Sequence, residues 1–208
     1  MTTDDTTHDK RLTTRGARTR GRIVAVAADL MYIQGVEATT LDNVLVASGA
    51  SKSQLYRHFS DKATLVRAVI DHVGDRIITR ERETIGDVTT LGGLRNWADG
   101  LVKLNGLRHG AYGCALGSLA AEIADRDELA HATLLRLFTQ WQTLIHEALV
   151  ALQEAGELLP NVAVDQLATG LMAALQGGYL LAQTERDVEP MAISLDLALS
   201  HIEKLAAR

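Results

Sequence analysis

Apolar positions along the chain recur three and four residues apart rather than every second residue, so the pattern predicts helices and no lasting strand. The rhythm starts at Thr19, read as an N-cap, and runs through Ile23, Val26, Ala27, Leu30 and Met31 to Gly35. Glycine suits the left-handed conformation that ends a helix. A short second helix follows Thr40, with Leu41, Val44 and Leu45 on one face, and ends near Gly49. The third opens at Ser51, where Ser51 and Gln54 have the spacing of a capping box, and carries Leu55, Tyr56 and Phe59. A fourth begins at Asp61, runs through Leu65, Val69, Val73 and Ile77, and extends past Arg80. Further helices are expected near 90–107, 114–124, 128–156, 165–187 and 190–206. Pro190 suits a first helical position, and Gly156 and Pro160 bracket one connection. Residues 61–159 contain no proline, which permits long helices. The expected fold is therefore all-α, of about nine helices.

Two of these helices are short and are joined by Ser48-Gly49-Ala50-Ser51, the turn length a helix-turn-helix requires. The chain divides accordingly into a flexible basic arm over 1–18, a helix-turn-helix head over 19–65, and a helical body over 66–208. The net charge of −5 argues against a nucleic-acid partner until its distribution is considered. Residues 10–60 carry Lys10, Arg11, Arg15, Arg18, Arg20, Arg22, Lys52 and Arg57 against Asp29, Glu37 and Asp42. Residues 81–208 carry 9 basic and 17 acidic side chains. A basic head on an acidic body suits double-stranded DNA at one end and a different task at the other.

Composition narrows the classes further. With 47% hydrophobic and 23% charged residues, the chain can bury a core and is not of the disordered type. No apolar run approaches the ~20 residues of a membrane span, and no apolar signal core lies near Met1, so a cytoplasmic protein without a membrane partner is expected. The single thiol, Cys114, excludes an intrachain disulfide and a thiolate zinc cage, and no cofactor or metal is expected.

Residues 19–70 resemble the DNA-binding domain of the TetR family of regulators. The resemblance rests on Thr19-Arg20, Ile23, Gly35, Thr39-Thr40, Gly49-Ala50-Ser51-Lys52, Leu55-Tyr56-Arg57-His58-Phe59, Lys62 and Leu65. Leu45, Ser48 and Ser53 depart from the residues usual there, so base preference does not follow from the match. The chemistry of the segment agrees with it. Ser53 and Gln54, in the first turn of the third helix, can meet base edges, and Gln can bond adenine bidentately. Thr40, Tyr56, His58 and Lys62 are of the type that positions a phosphate backbone, and Ser51, the cap of the third helix, is counted with them among the DNA-binding residues. Lys52 opposes the helix dipole, a placement that a nearby phosphate explains. Each position has a plainer alternative. Tyr56 and Phe59 can plug the three-helix core, the preferred reading for Phe59, and His58 and Lys52 can be solvated surface.

The stretches 113–122 and 171–178 resemble a branch of the same family that includes LmrA- and YxaF-type regulators. By that resemblance the body binds a small effector and forms a homodimer. Gly170, Ala174 and Gly177 make a small-residue stripe above Leu181, and Ile193, Leu197 and His201 would complete a four-helix interface. Packing within one subunit is the alternative. Trp97, Leu101, Tyr112, Cys114, Phe138, Trp141, Ile145, Met172, Gln176 and Tyr179 are candidates to line a pocket for a small hydrophobic effector. Together these features imply a transcriptional repressor released from its operator by an effector. A sharper variant makes Cys114 a sensor of electrophiles or oxidants, through a pKa lowered near a helix start. The plainer reading, a buried small hydrophobe, is preferred. An enzyme would have only Cys114 and His109 as a nucleophile and base, with no third orienting group and none of the common catalytic motifs, and is not expected.

Overall fold

The computed structural model describes residues 13–207, among which nine α-helices and no strand occur. They are α1 (Thr14–Gln34), α2 (Leu41–Ser48), α3 (Lys52–His58), α4 (Lys62–Ile85), α5 (Leu91–Gly106), α6 (Ala115–Ile123), α7 (Glu128–Glu154), α8 (Val164–Glu185) and α9 (Glu189–Glu203). The all-α expectation holds; the other helix ends fall within about three residues of those expected, and the largest shift is at the start of α1. Helix α1 begins five residues before Thr19, because the Thr13 hydroxyl accepts from the Gly16 N–H at 3.2 Å and caps the helix there. Its first two turns bury nothing, so the apolar periodicity that reveals a helix starts only at Ile23. Residues 14–18, expected within a flexible arm, are thus helical, while Lys10 and Arg11 lie outside the described residues.

Helices α1 to α3 and the start of α4 form the head. Ile23, Ala27, Val44, Leu55, Phe59, Leu65 and Val69 are fully buried at its centre, so Phe59 is a core residue. Truncating such a ring costs about 3–5 kcal/mol, which makes Phe59 structural whatever its neighbours touch. Ser48 is buried, yet satisfied: its hydroxyl accepts from Ala50 N–H at 3.3 Å and lies 3.5 Å from the Leu45 carbonyl.

Helix α4 leaves the head and runs into the body, where it packs on α7. Gly74 allows this contact. A methyl group at that position would stand 2.3 Å from Leu137 Cδ1, well inside contact distance. Helices α8 and α9 pair closely, and Ser194 Oγ donates to the Ala174 carbonyl at 2.8 Å. At Gly178 an added Cβ would lie 3.0 Å from Met191 Cα, so this glycine serves packing within the subunit.

Several polar ties hold head to body, among them a pair between Arg126 and Glu37 at 3.7 Å. The Glu122 carboxylate of α6 accepts from the Val36 N–H at 2.8 Å in the turn after α1. Tyr32 of α1 donates to the Gly113 carbonyl at 3.2 Å. Arg67 of α4 pairs at 2.7 Å with Asp127, the cap of α7. Bonding to the Ala130 amide, and then to Arg67, holds the Asp127 carboxyl below the usual carboxylate range.

Candidate nucleic-acid interface and adjoining cavity

Both short helices of the head open with reciprocal caps. Thr40 Oγ1 accepts from Asn43 N–H at 3.1 Å, and Asn43 Oδ1 accepts from Thr40 N–H at 3.0 Å. Ser51 Oγ accepts from Gln54 N–H at 3.2 Å, and Gln54 Oε1 accepts from Ser51 N–H at 2.9 Å. Between the helices Gly49 takes φ 61°, a conformation glycine adopts without strain. A seven-residue helix is too short to persist alone, so the caps and the buried Leu55 and Phe59 together fix its direction.

With that face anchored, Lys52, Ser53, Tyr56 and Arg57 are left on the solvent side of α3, and Tyr56 is 47% exposed. Thr40 and Ser51 are also exposed, at the two helix starts. Gln54 is only half-exposed and its side-chain oxygen is committed to the cap, leaving its amide NH2 group as the free end. Bidentate pairing of Gln54 with adenine therefore competes with an existing bond. His58 is half-buried, and burial, then Arg20 and Arg57, lower its pKa, so the imidazole is neutral at neutral pH. It can offer a phosphate one N–H and no charge. Lys62 donates to the Glu37 carbonyl at 3.0 Å and so also pins the turn between α1 and α2. In the sequence Arg20 and Arg22 belong to the basic stretch expected to meet DNA, and Arg20 also carries the family resemblance. The structure places the Arg20 guanidinium 5.3 Å from the Phe59 ring centre, and Arg22 beside Gly49 at the turn.

Behind α1, a cavity of about 440 Å³ lies where head and body meet. Of the ten residues expected to line it, Cys114, Trp141 and Tyr179 do so. Trp97, Leu101, Ile145 and Met172 are buried in packing instead, and Phe138 and Gln176 are half-buried. Trp97 donates to the buried Glu81 carboxylate at 2.9 Å, and Gln176 lies against Gly117. Tyr112 sits on an exposed left-handed turn, its ring 5.4 Å from that of Tyr32. Residues not foreseen complete the wall, among them Asp29 and Tyr32 from α1, Arg76 and Arg80 from α4, and Asn105 and Arg108 at the end of α5. A signal for part of this set is visible in the sequence. Val73, Arg76, Ile77 and Arg80 are spaced i, i+3, i+4 and i+7, which puts two arginines beside the inward stripe of an amphipathic helix. A purely apolar site is therefore not what the wall presents.

Cys114 is buried, and burial pushes its thiol up from the ordinary value, although it caps α6 by accepting from the Gly117 N–H at 3.4 Å. The expected lowering near a helix start is outweighed by desolvation, so the residue is a thiol at neutral pH and poorly suited to sensing. His109 stands exposed at a left-handed turn, and no third group orients a Cys114–His109 pair among the described hydrogen bonds.

On the far side of the body, Gly170 and Gly177 meet nothing within 4 Å of an added Cβ. Beside them Leu181, Ile193 and Leu197 are 50%, 53% and 67% exposed, His201 is exposed, and Ala174 is half-buried. This face of α8 and α9 is not covered by its own subunit. None of the helices among the described residues is long and apolar enough to cross a membrane.

Residues 23–69 match the family described as bacterial regulatory proteins, tetR family, and residues 93–197 match a tetracyclin repressor-like C-terminal domain. An uncharacterised helix-turn-helix regulator from the lacX 3′ region of Lactococcus lactis is 27% identical, over 91% of this chain and 96% of its own length. The repressor DhaR of a Mycobacterium species is 26% identical, over 83% of this chain and 86% of its own. A TetR regulatory protein from Rhodobacter sphaeroides has a similar fold, with a TM-score of 0.79 and 22% identity over 88% of this chain and 98% of that one.

Proposed function

We propose, from the premise that this chain belongs to the tetR family of bacterial regulatory proteins, that it represses transcription as a homodimer and is released from its operator by a small molecule. Membership makes it a helix-turn-helix transcription regulator. Repression is the role named for the similar DhaR, and release is carried by one observation. The cavity shares its walls between the two regions, with Asp29 and Tyr32 from α1 of the head facing Trp141 and Tyr179 of the body. An occupant there touches both at once. Helix α6 extends the connection: Cys114 and Ala115 at its start line the cavity, and Glu122 near its end holds the Val36 amide in the head. A ligand that fits only one arrangement of these groups shifts the head by its differential affinity, and a coupling of about 1–3 kcal/mol is typical.

On the DNA side, Ser53 and the amide end of Gln54 are the candidates to meet base edges in the major groove. Thr40, Lys52, Tyr56, His58 and Lys62 flank them as phosphate contacts. The bare face around Gly170, Gly177, Leu181, Ile193 and Leu197 supports pairing of two subunits, which sets two heads at the spacing of successive half-sites.

Footprinting on promoter DNA beside the protein's own gene tests this reading. Wild type should protect two half-sites about one helical turn, or a multiple, apart. Tyr56→Ala and Lys62→Ala should weaken both uniformly, and Leu197→Glu should lose them together as the subunits separate. An undiminished footprint with Leu197→Glu in a monomeric protein would remove the dimer from the account, and unchanged binding by Tyr56→Ala and Lys62→Ala would remove this face of the head.

A further inference from the structure

The charge and hydrogen-bonding groups around the cavity limit what can occupy it. Arg76, Arg80 and Arg108 all contribute to its wall, against one carboxylate, Asp29. Arg80 is already paired with the buried Glu81, through Nε at 2.9 Å and through Nη2. Its charge is thus largely met from behind. The net positive potential comes from Arg76 and Arg108, both exposed, opposed by Asp29 alone. A cationic occupant would be repelled.

An uncharged hydrocarbon is also poorly matched. Sealing the Arg80 guanidinium and the Tyr179 hydroxyl behind apolar groups would cost their desolvation with nothing in return. Donors outnumber acceptors on this wall, so the complementary molecule is rich in acceptors and carries negative charge. Ala28, Val73, Ile77 and Leu104 supply apolar surface as well, enough to hold a hydrocarbon portion.

From this arrangement we infer that the occupant is an organic carboxylate with an apolar body. Its acid group is met by the arginines of α4 and the α5 end, and its apolar body by Ala28, Val73, Ile77 and Leu104. Guanidinium and carboxylate match in shape as well as charge, which distinguishes an acid from its amide. The inference names the ligand class for the release mechanism above. It depends on that mechanism only for the consequence at the DNA.

Calorimetric titration of the full-length protein with matched pairs, octanoate against octanamide and benzoate against benzamide, tests it. The acid of at least one pair should bind about tenfold or more tightly than its amide, the scale of a charge-assisted bond. Arg76→Gln and Arg108→Gln should abolish most of that preference and leave the amide unchanged. Arg80 is unsuitable, because its removal strands the buried Glu81. Asp29→Asn provides the converse, a severalfold tighter acid, and does not depend on a destabilising change. Amides that bind as well as acids, no acid binding at millimolar concentration, or acid affinity indifferent to both Arg76→Gln and Asp29→Asn would overturn the inference. Operator release measured in the same titrations separates the two ideas. Arginine-dependent acid binding without release would refute the release mechanism alone, whereas release by amides only would refute the carboxylate alone.

Discussion

Head and body display positive charge in opposite ways. On the head, Arg15, Arg18, Arg20, Lys52 and Arg57 lie exposed along α1 and α3, facing open solvent. In the body, which is acidic as a whole, Arg76, Arg80 and Arg108 converge on one concavity and Arg80 is anchored by Glu81. The same residue type therefore does two kinds of work. A dispersed array attracts a long polyanion through many weak, screened contacts, while a converging set selects one small anion by geometry.

Salt should separate the two most sharply. Operator affinity should fall by about 10³-fold between about 50 and 200 mM salt if six or more phosphates are contacted, whereas acid binding in the cavity should change only severalfold. Equal salt slopes, measured by anisotropy and calorimetry, would erase the distinction. Lys62→Ala should make the operator slope shallower by about one, although the Glu37 carbonyl it holds means that thermal stability must be recorded alongside.

The next effect concerns α4, which belongs to both regions. Gly74→Val would drive a branched side chain into Leu137, and overpacking of this kind costs about 1–3 kcal/mol. A lowered melting temperature is expected for the whole chain. If instead only effector binding changed, with the melting curve intact, α4 and α7 would be less tightly joined than their contact implies.

The smallest effect is expected at Cys114. Burial raises its pKa, so its folded-state thiolate population at neutral pH is below that of an ordinary cysteine, and alkylation should be slow until the protein unfolds. Cys114→Ser should leave operator binding in the absence of effector unchanged. Rapid labelling of the native protein at neutral pH would contradict the burial argument.

What could be read from the amino-acid order differed between the two regions for a physical reason. The head's surface comes from one continuous segment, so its caps, turn glycine and helix phase fix the placement of Thr40, Ser51, Lys52, Ser53 and Tyr56 almost without tertiary information. What escaped were bonds made across the head, such as Lys62 to Glu37, and the consequence of the expected Ser51–Gln54 cap, which takes up the oxygen that a bidentate contact to adenine would need. The cavity is assembled from α1, α4, α5, α6, α7 and α8. An arginine such as Arg108 looks in sequence like any solvated charge, and only packing reveals that it borders a concavity. Trp97 shows the converse error, because an aromatic polar enough for a ligand site is consumed by Glu81. The exposed stripe of α8 was legible as small residues, but only the placement of α9 against Gly178 shows which glycine is used internally and which faces outward.

Helix α4 joins Lys62 at the head to Arg80 at the cavity without a break. At 1.5 Å of rise per residue that stretch is a rod of roughly 27 Å. A tilt of about 5° at the cavity end would carry its other end by roughly 2 Å, comparable to the tolerance of a hydrogen bond to a base edge. In a pair of subunits the two displacements add across the symmetry axis. A ligand that rotates each rod through so small an angle needs to melt nothing to make both heads miss their grooves.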